Sequence, residues 1–213
     1  MLRARITNGL RGIKQRWGTS NTRQKLWDKE YASGKWNHCD HTPGAWVYGF
    51  VQKHCRNGSI LDLGCGSGNT GNELDVTSYL DYTGVDLSAV AILKATDRSE
   101  RNGRADKNRY LRSDILSYVP RKNHDVILFR ESFYQIPRAK MKATLDRYSR
   151  YLSDSGVFVV YVSRDGTKHV RELVDWIEAN YSVSEKHWRA APAPDAAAYL
   201  GDAFVLVFRQ RQP

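Results

Sequence analysis

The chain has 213 residues, a hydrophobic fraction of 41% and a formal net charge of +10, which suits one folded α/β domain with a short appendage. No apolar run reaches the roughly 18 residues needed to span a bilayer, and the charged N-terminus lacks the apolar core of a secretory signal. Three cysteines (Cys39, Cys55 and Cys65), odd in number and without CxxC spacing, argue against a disulfide framework and for a reducing cytoplasm.

Residues 1–22 read as a basic N-terminal appendage. Residues 1–30 hold eight cations against Asp28 and Glu30, more than half of the net charge. Leu2, Ile6, Leu10, Ile13 and Trp17 recur at helical steps, so an apolar face would oppose a basic one, although Gly9 and Gly12 weaken the helix. Such a segment suits either the domain's own surface or an anionic membrane face. Residues 23–58 carry Trp27, Tyr31, Trp36, Trp46, Tyr48 and Phe50, with breaks near Ser33-Gly34 and Thr42-Pro43-Gly44. Two helices are expected there, either packed on the domain or closing over a site as a lid.

From residue 59 onward strands and helices alternate. Apolar strands are expected at 59–63, 82–86, 108–112, 125–129 and 156–162, with closing strands at 181–188 and 203–209. Helices fall between them, one running from the glycine-rich turn to about Val76 and others at 88–99, 138–152 and 167–179. Repeated βα units imply a mostly parallel sheet covered on both faces, a Rossmann-like three-layer sandwich. The domain then occupies 23–213.

The most informative stretch is ILDLGCGSGNTG (60–71). Glycines at 64, 66 and 68 turn the chain sharply after a buried strand and let a ligand approach bare backbone. In an open α/β sheet, ligands bind outside the carboxyl ends of the strands. Gly66–Gly71 also matches the dinucleotide fingerprint GxGxxG, and Asp86 stands where a ribose carboxylate belongs for either ligand. Asp62 separates the two readings. A carboxylate two residues before the loop repels a diphosphate in a low-dielectric crevice, whereas it suits a sulfonium or ammonium.

ILDLGCGSGNTG resembles the first motif of class I S-adenosylmethionine-dependent methyltransferases. YTGVDLS (82–88) and YLRSDI (110–115) resemble their next two motifs. The resemblance implies a seven-stranded sheet with an antiparallel last strand and S-adenosyl-L-methionine as cofactor. It implies that Gly64, Cys65 and Gly66 line the methionine moiety with Asp62 behind them. It places Asp86 on the ribose hydroxyls, Leu87 on the adenine, and Asp114 with the Ile115 amide at the adenine edge. Without a ligand, Asp62, Asp86 and Asp114 read as caps or turn residues. WDKEYASGKW (27–36) is similar to the N-terminal segment of small bacterial members.

The acceptor side is expected after the fourth strand, in FRESFYQIP (129–137). No Asn/Asp-Pro-Pro-aromatic signature and no Pro-Cys pair occur here, so base methylation is not indicated. Glu131 and Tyr134 are the candidate bases, with Arg130 at the cofactor or facing an acidic acceptor. His169, near Asp165 after the fifth strand, is a third candidate base. The cluster His38-Cys39-Asp40-His41 with His54-Cys55 has no regular metal-ligand spacing, and no metal is assigned. The resemblance and these residues together imply a methyltransferase acting on a small-molecule or glycan acceptor, at oxygen with nitrogen as the alternative atom. The protein would be cytoplasmic, with peripheral contact at the inner membrane face through its N-terminus. An RNA or protein methyltransferase using the basic arm, and a non-catalytic dinucleotide-binding module, are the alternatives; nucleic acid ranks below a small acceptor as partner.

Overall fold

In the computed structural model, the residues described are 11, 12, 15, 18–40, 42, 45–163, 168–189 and 203–211, and the side chains of 163, 168 and 169 lie outside that set. Helix α1 (Ser20–Ala32) and α2 (Val47–Cys55) precede the sheet. The order is then β1 (Ser59–Leu63), α3 (Asn69–Glu73), β2 (Asp81–Asp86), α4 (Ala89–Arg101), β3 (Asn108–Arg112), β4 (His124–Arg130), α5 (Arg138–Ser149), β5 (Leu152–Ser163), α6 (Lys168–Asn180), β6 (Tyr181–Arg189) and β7 (Ala203–Gln210). The strands form one seven-stranded sheet in the order β3-β2-β1-β4-β5-β7-β6. β1 to β5 pair in parallel, and β7 inserts antiparallel between β5 and β6. The expected architecture, including the reversed last strand, is the observed one.

Strand alternation divides the core into two layers. Leu61, Leu63, Ile127, Phe129, Phe158 and Val160 pack against α5 and α6. Ile60, Tyr82, Val126, Leu128, Val157 and Val159 pack against α2 on the opposite face. Asp62 shares that second face with Ile60, which is why a carboxylate ends up inside the sandwich.

Several boundaries differ from the sequence reading for local reasons. α3 stops at Glu73 rather than near Val76, because Leu74 turns to an extended backbone and is buried. Asp75 then caps the following turn, accepting from the Thr77 amide at 2.9 Å. β5 begins at Leu152, four residues early, where a register irregularity against His124 and Val126 lets it pair. α1 starts at Ser20, with the Thr19 hydroxyl accepting from the Thr22 amide at 3.2 Å. The expected boundary at residue 22 therefore falls inside a helix. Leu2, Ile6, Leu10, Ile13 and Trp17 lie outside the described residues, while Gln15 is buried against the domain and contacts Gln135.

Gly84 leaves room on β2 for the Tyr110 ring and the Cys65 side chain. A Cβ there would sit 2.7 Å from the Tyr110 ring and 2.9 Å from the Cys65 sulfur. Gly84→Ala is expected to cost about 1–3 kcal/mol through overpacking, read as a lowered midpoint in urea unfolding; an unchanged midpoint would show that Tyr110 yields freely.

Candidate active site

The glycine loop leaves β1 through three left-handed residues, Gly64 (φ +88°), Gly66 (φ +55°) and Gly68 (φ +79°). L-residues rarely adopt such angles, which accounts for the alternate glycines. The Gly64 and Cys65 amides both donate to the Val85 carbonyl, at 2.8 and 3.1 Å, tying the loop to β2. Two further residues crowd the bare backbone. A Cβ on Gly64 would strike the Ser132 side chain at 2.5 Å, and one on Gly66 would meet the Tyr31 hydroxyl at 2.7 Å.

Asp62 is 1% exposed, and one of its oxygens accepts from the Tyr82 hydroxyl at 2.5 Å. No hydrogen bond of normal geometry reaches its Oδ1. Burial pushes its pKa up to about 6, offset in part by the Tyr82 hydroxyl and the Arg130 charge. Asp86 accepts from the Gly66 amide at 3.0 Å and the Ser88 amide at 2.8 Å. Burial pushes it up to about 6 as well, against the pull of those amides. Its carboxylate thus holds the glycine loop to the end of β2, in addition to standing at the expected ribose position. Leu87 is half-buried beside it. Cys65 is buried, and burial next to Asp86 and Asp62 raises its thiol well above the usual range.

Helix α1 lies across these groups. Asp28 accepts from the Ser88 hydroxyl at 2.7 Å and the Val90 amide at 3.3 Å, at the N-terminus of α4. Lys94 donates to the Tyr31 carbonyl at 3.0 Å. Asp40 accepts from the Ser67 hydroxyl of the glycine loop, and Arg23 pairs with Asp114. Trp27, Tyr31 and Trp36 form one cluster, with centroids 5.7 to 6.5 Å apart. Behind them Glu30 is buried with Arg11, Lys35 and the Trp36 indole as partners. Burial alone would raise Glu30, but the Arg11 and Lys35 hydrogen bonds outweigh it and hold the pKa at about 2.

Three expected site residues have other partners than the sequence suggested. Arg130 donates to the Tyr48 hydroxyl at 3.2 Å and the Thr42 hydroxyl at 2.8 Å, and lies over the Tyr48 ring at 5.2 Å. It fastens Thr42 and the start of α2 to β4. Asp114 accepts from the Leu116 amide at 3.0 Å besides pairing with Arg23, so it caps the turn after β3. The Ile115 carbonyl accepts from Arg147 at 2.6 Å and Tyr148 at 2.8 Å, fixing that turn to α5. Tyr134 sits on a short 3-10 turn (Phe133–Gln135), against the core and near Arg11. The His169 side chain, Asp165 and His41 lie outside the described residues. His54 pairs with Glu185 at 2.7 Å, away from Cys39.

Glu131 follows β4 with φ +56°, although it is not glycine. Its amide donates to the Tyr161 carbonyl at 2.9 Å. Its carboxylate lies near Cys39, whose thiol is raised chiefly by burial and further by Asp40 and Glu131. Asp28, Arg23 and Thr42 were given no site role from the sequence, and Asp40 entered only in a cluster to which no metal was assigned. Asp28 sits beside Trp27, but its partner is sixty residues away in the chain, and no local pattern announces that.

A family model described as a methyltransferase domain matches residues 36–193, from the lid through β6. The chain belongs to the class I S-adenosylmethionine-dependent methyltransferase family. The chain is 24% identical to sterol 24-C-methyltransferase erg-4 of Neurospora crassa over 144 residues, 62% of this chain. It spans only 38% of that relative's length. Among solved structures it is similar to N-methyltransferase NodS from Bradyrhizobium japonicum WM9 with S-adenosyl-L-homocysteine, at a TM-score of 0.67 and 17% identity, covering 89% of this chain and 98% of that one. It is also similar to the [4+2]-cyclase SpnF, at a TM-score of 0.70 and 13% identity, covering 92% and 98%. These likenesses show the fold.

The residues fit the family's methyl donor, S-adenosylmethionine. The unpartnered Asp62 Oδ1 lies behind a loop whose glycines leave backbone bare, and a cationic ligand supplies what a buried carboxylate lacks. Asp62 and Asp86 would hold it from β1 and β2. Both carboxylates have folded pKa values raised to about 6 from 3.8. They are charged only above that value, so donor affinity is expected to rise between pH 5 and 7. Their contribution to folding runs the opposite way, present below pH 4 and lost as pH rises through about 6. Calorimetry across that range checks the affinity, and Asp62→Asn should flatten the profile. A profile as steep in the variant as in the parent would remove Asp62 from the site.

Proposed function

We propose that the methyltransferase transfers the methyl group to a hydroxyl oxygen of a small-molecule or glycan acceptor held between α1 and the loop after β4. The observation that carries this reading is the backbone of Glu131. A left-handed conformation costs a non-glycine residue roughly 1–3 kcal/mol and persists only when its surroundings enforce it. Here both neighbours are anchored, Arg130 to Thr42 and Tyr48 of the lid segment and Ser132 to the Leu63 carbonyl. The carboxylate between them stands at the carboxyl end of β4, near Cys39 and above the glycine loop.

When bound, S-adenosylmethionine supplies an electrophilic methyl carbon on a leaving group that departs as a neutral thioether. The chain's own residues align the acceptor and take its proton. A hydroxyl is a weak nucleophile near neutrality, and Glu131 accepts its proton as the new carbon–oxygen bond forms. Trp27, Tyr31 and Trp36 offer aromatic surface to the acceptor body. Arg130, Thr42 and Tyr48 keep the lid segment on the sheet and exclude water. The relatives named above include C- and N-methyltransferases, so the assignment to oxygen rests on the carboxylate after β4 rather than on likeness.

A screen of acceptor extracts with labelled methyl donor identifies the acceptor. With it in hand, Glu131→Gln is expected to lower kcat by roughly 10²–10⁴ while S-adenosylhomocysteine affinity holds. Loss of that affinity would put Glu131 on the donor instead, and unchanged turnover would exclude it as the base.

A further inference from the structure

At the opposite end of the sheet from the glycine loop, the crossover from β3 to β4 has no helix. The other crossovers among β1 to β5 carry α3, α4 and α5. Residues 113–123 instead run as turns, with Ile115, Leu116 and Tyr118 packed on the core. One face of β2 and β3 is left partly uncovered there. Asp81 and Thr83 of β2 and Arg109 and Leu111 of β3 share that face by strand alternation. They border a cavity of about 430 Å³ whose lining includes Lys107, Tyr118, Arg121, Lys122 and His124.

The cavity's charges are unevenly satisfied. Lys122 is paired with Asp81 at 2.5 Å, and Lys107 donates to the Val76 and Tyr79 carbonyls at 2.8 and 3.1 Å. Arg109 and Arg121 have no carboxylate partner among the described residues, yet both lie near the Tyr118 hydroxyl and act on its ionisation. Asp106 also borders the cavity, leaving four cations against two carboxylates in the lining. His124 is 2% exposed, and its Nδ1 has no hydrogen-bond partner. Burial holds its pKa down to about 4, so it is neutral near pH 7 and adds no competing charge. Guanidinium forks match the paired oxygens of a phosphate, and an aromatic ring beside them suits an apolar or aryl body.

We propose that this cavity is a second binding site, for a small organic phosphate monoester, formed by Arg109, Arg121 and Tyr118. It lies on the face of β3 opposite Tyr110, which packs toward Gly68 and Gly71, and is therefore separate from the methyl-donor site.

The test uses the full chain. Phenyl phosphate is titrated by calorimetry and followed by 31P NMR, with inorganic phosphate and a dodecameric oligodeoxynucleotide as parallel probes. The expected result is saturable binding of phenyl phosphate, weaker binding of inorganic phosphate, and a loss of at least tenfold in Arg109→Gln/Arg121→Gln. Both arginines are exposed, so the variant should fold, and retained S-adenosylhomocysteine affinity confirms that it does. Should the double variant lose that affinity, the single variants at 109 and 121 are read by the same criterion. No binding of phenyl phosphate, equal binding in the variants, or binding of the oligonucleotide alone would overturn the proposal.

Discussion

Two carboxylates at the carboxyl ends of adjacent parallel strands, Asp62 buried and Asp86 half-buried, govern the upper half of this molecule. Water is excluded from Asp62, and Asp86 is half-buried, so each gains from donors or a cation. Asp86 finds backbone amides and, in accepting them, shapes the glycine loop. Asp62 accepts from the Tyr82 hydroxyl, has Thr70 close by, and keeps an oxygen that no hydrogen bond of normal geometry reaches. The asymmetry separates two jobs. One carboxylate builds the cradle, and the other holds negative potential beneath it. A sheet that spends folding energy to bury charge in this way is committed to a cationic ligand.

The lid answers the same constraint from the other side. α1 makes its main contacts through polar groups, with Asp28 at the N-terminus of α4, Arg23 on Asp114 and Lys94 on the Tyr31 carbonyl. Hydrogen bonds and ion pairs of this partly exposed kind contribute little each and exchange readily with water. Within the segment itself, Glu30 is buried with Arg11, Lys35 and Trp36 as partners.

Most of the fold was legible in the sequence because the strands are short apolar runs bounded by glycine, aspartate or asparagine. β1, β2, β3 and β4 fall within one residue of the runs that announce them. The ends of α3 and β5 were not legible, since each depends on a tertiary event, the burial of Leu74 and the irregular pairing beside His124. In the site, Asp62, Asp86 and the glycines could be read because their spacing is local and their chemistry restrictive. Arg130 and Asp114 were placed at the strand ends they occupy, but their protein partners were not legible. Their partners, Thr42, Tyr48 and Arg23, come from a segment whose approach no periodicity encodes. Glu131 was chosen for its position, and its left-handed backbone, the stronger reason, is visible only in three dimensions.

The central claim is that the acidic crevice at Gly64–Gly68 selects a cationic, phosphate-free nucleoside. The most direct measurement is calorimetry of the full chain at pH 7.5 with S-adenosylmethionine, S-adenosylhomocysteine and NAD in separate titrations. The account predicts one-to-one binding of both adenosyl ligands and none of NAD, with the adenosyl binding abolished in Asp86→Ala. Binding of NAD in place of S-adenosylmethionine would contradict it.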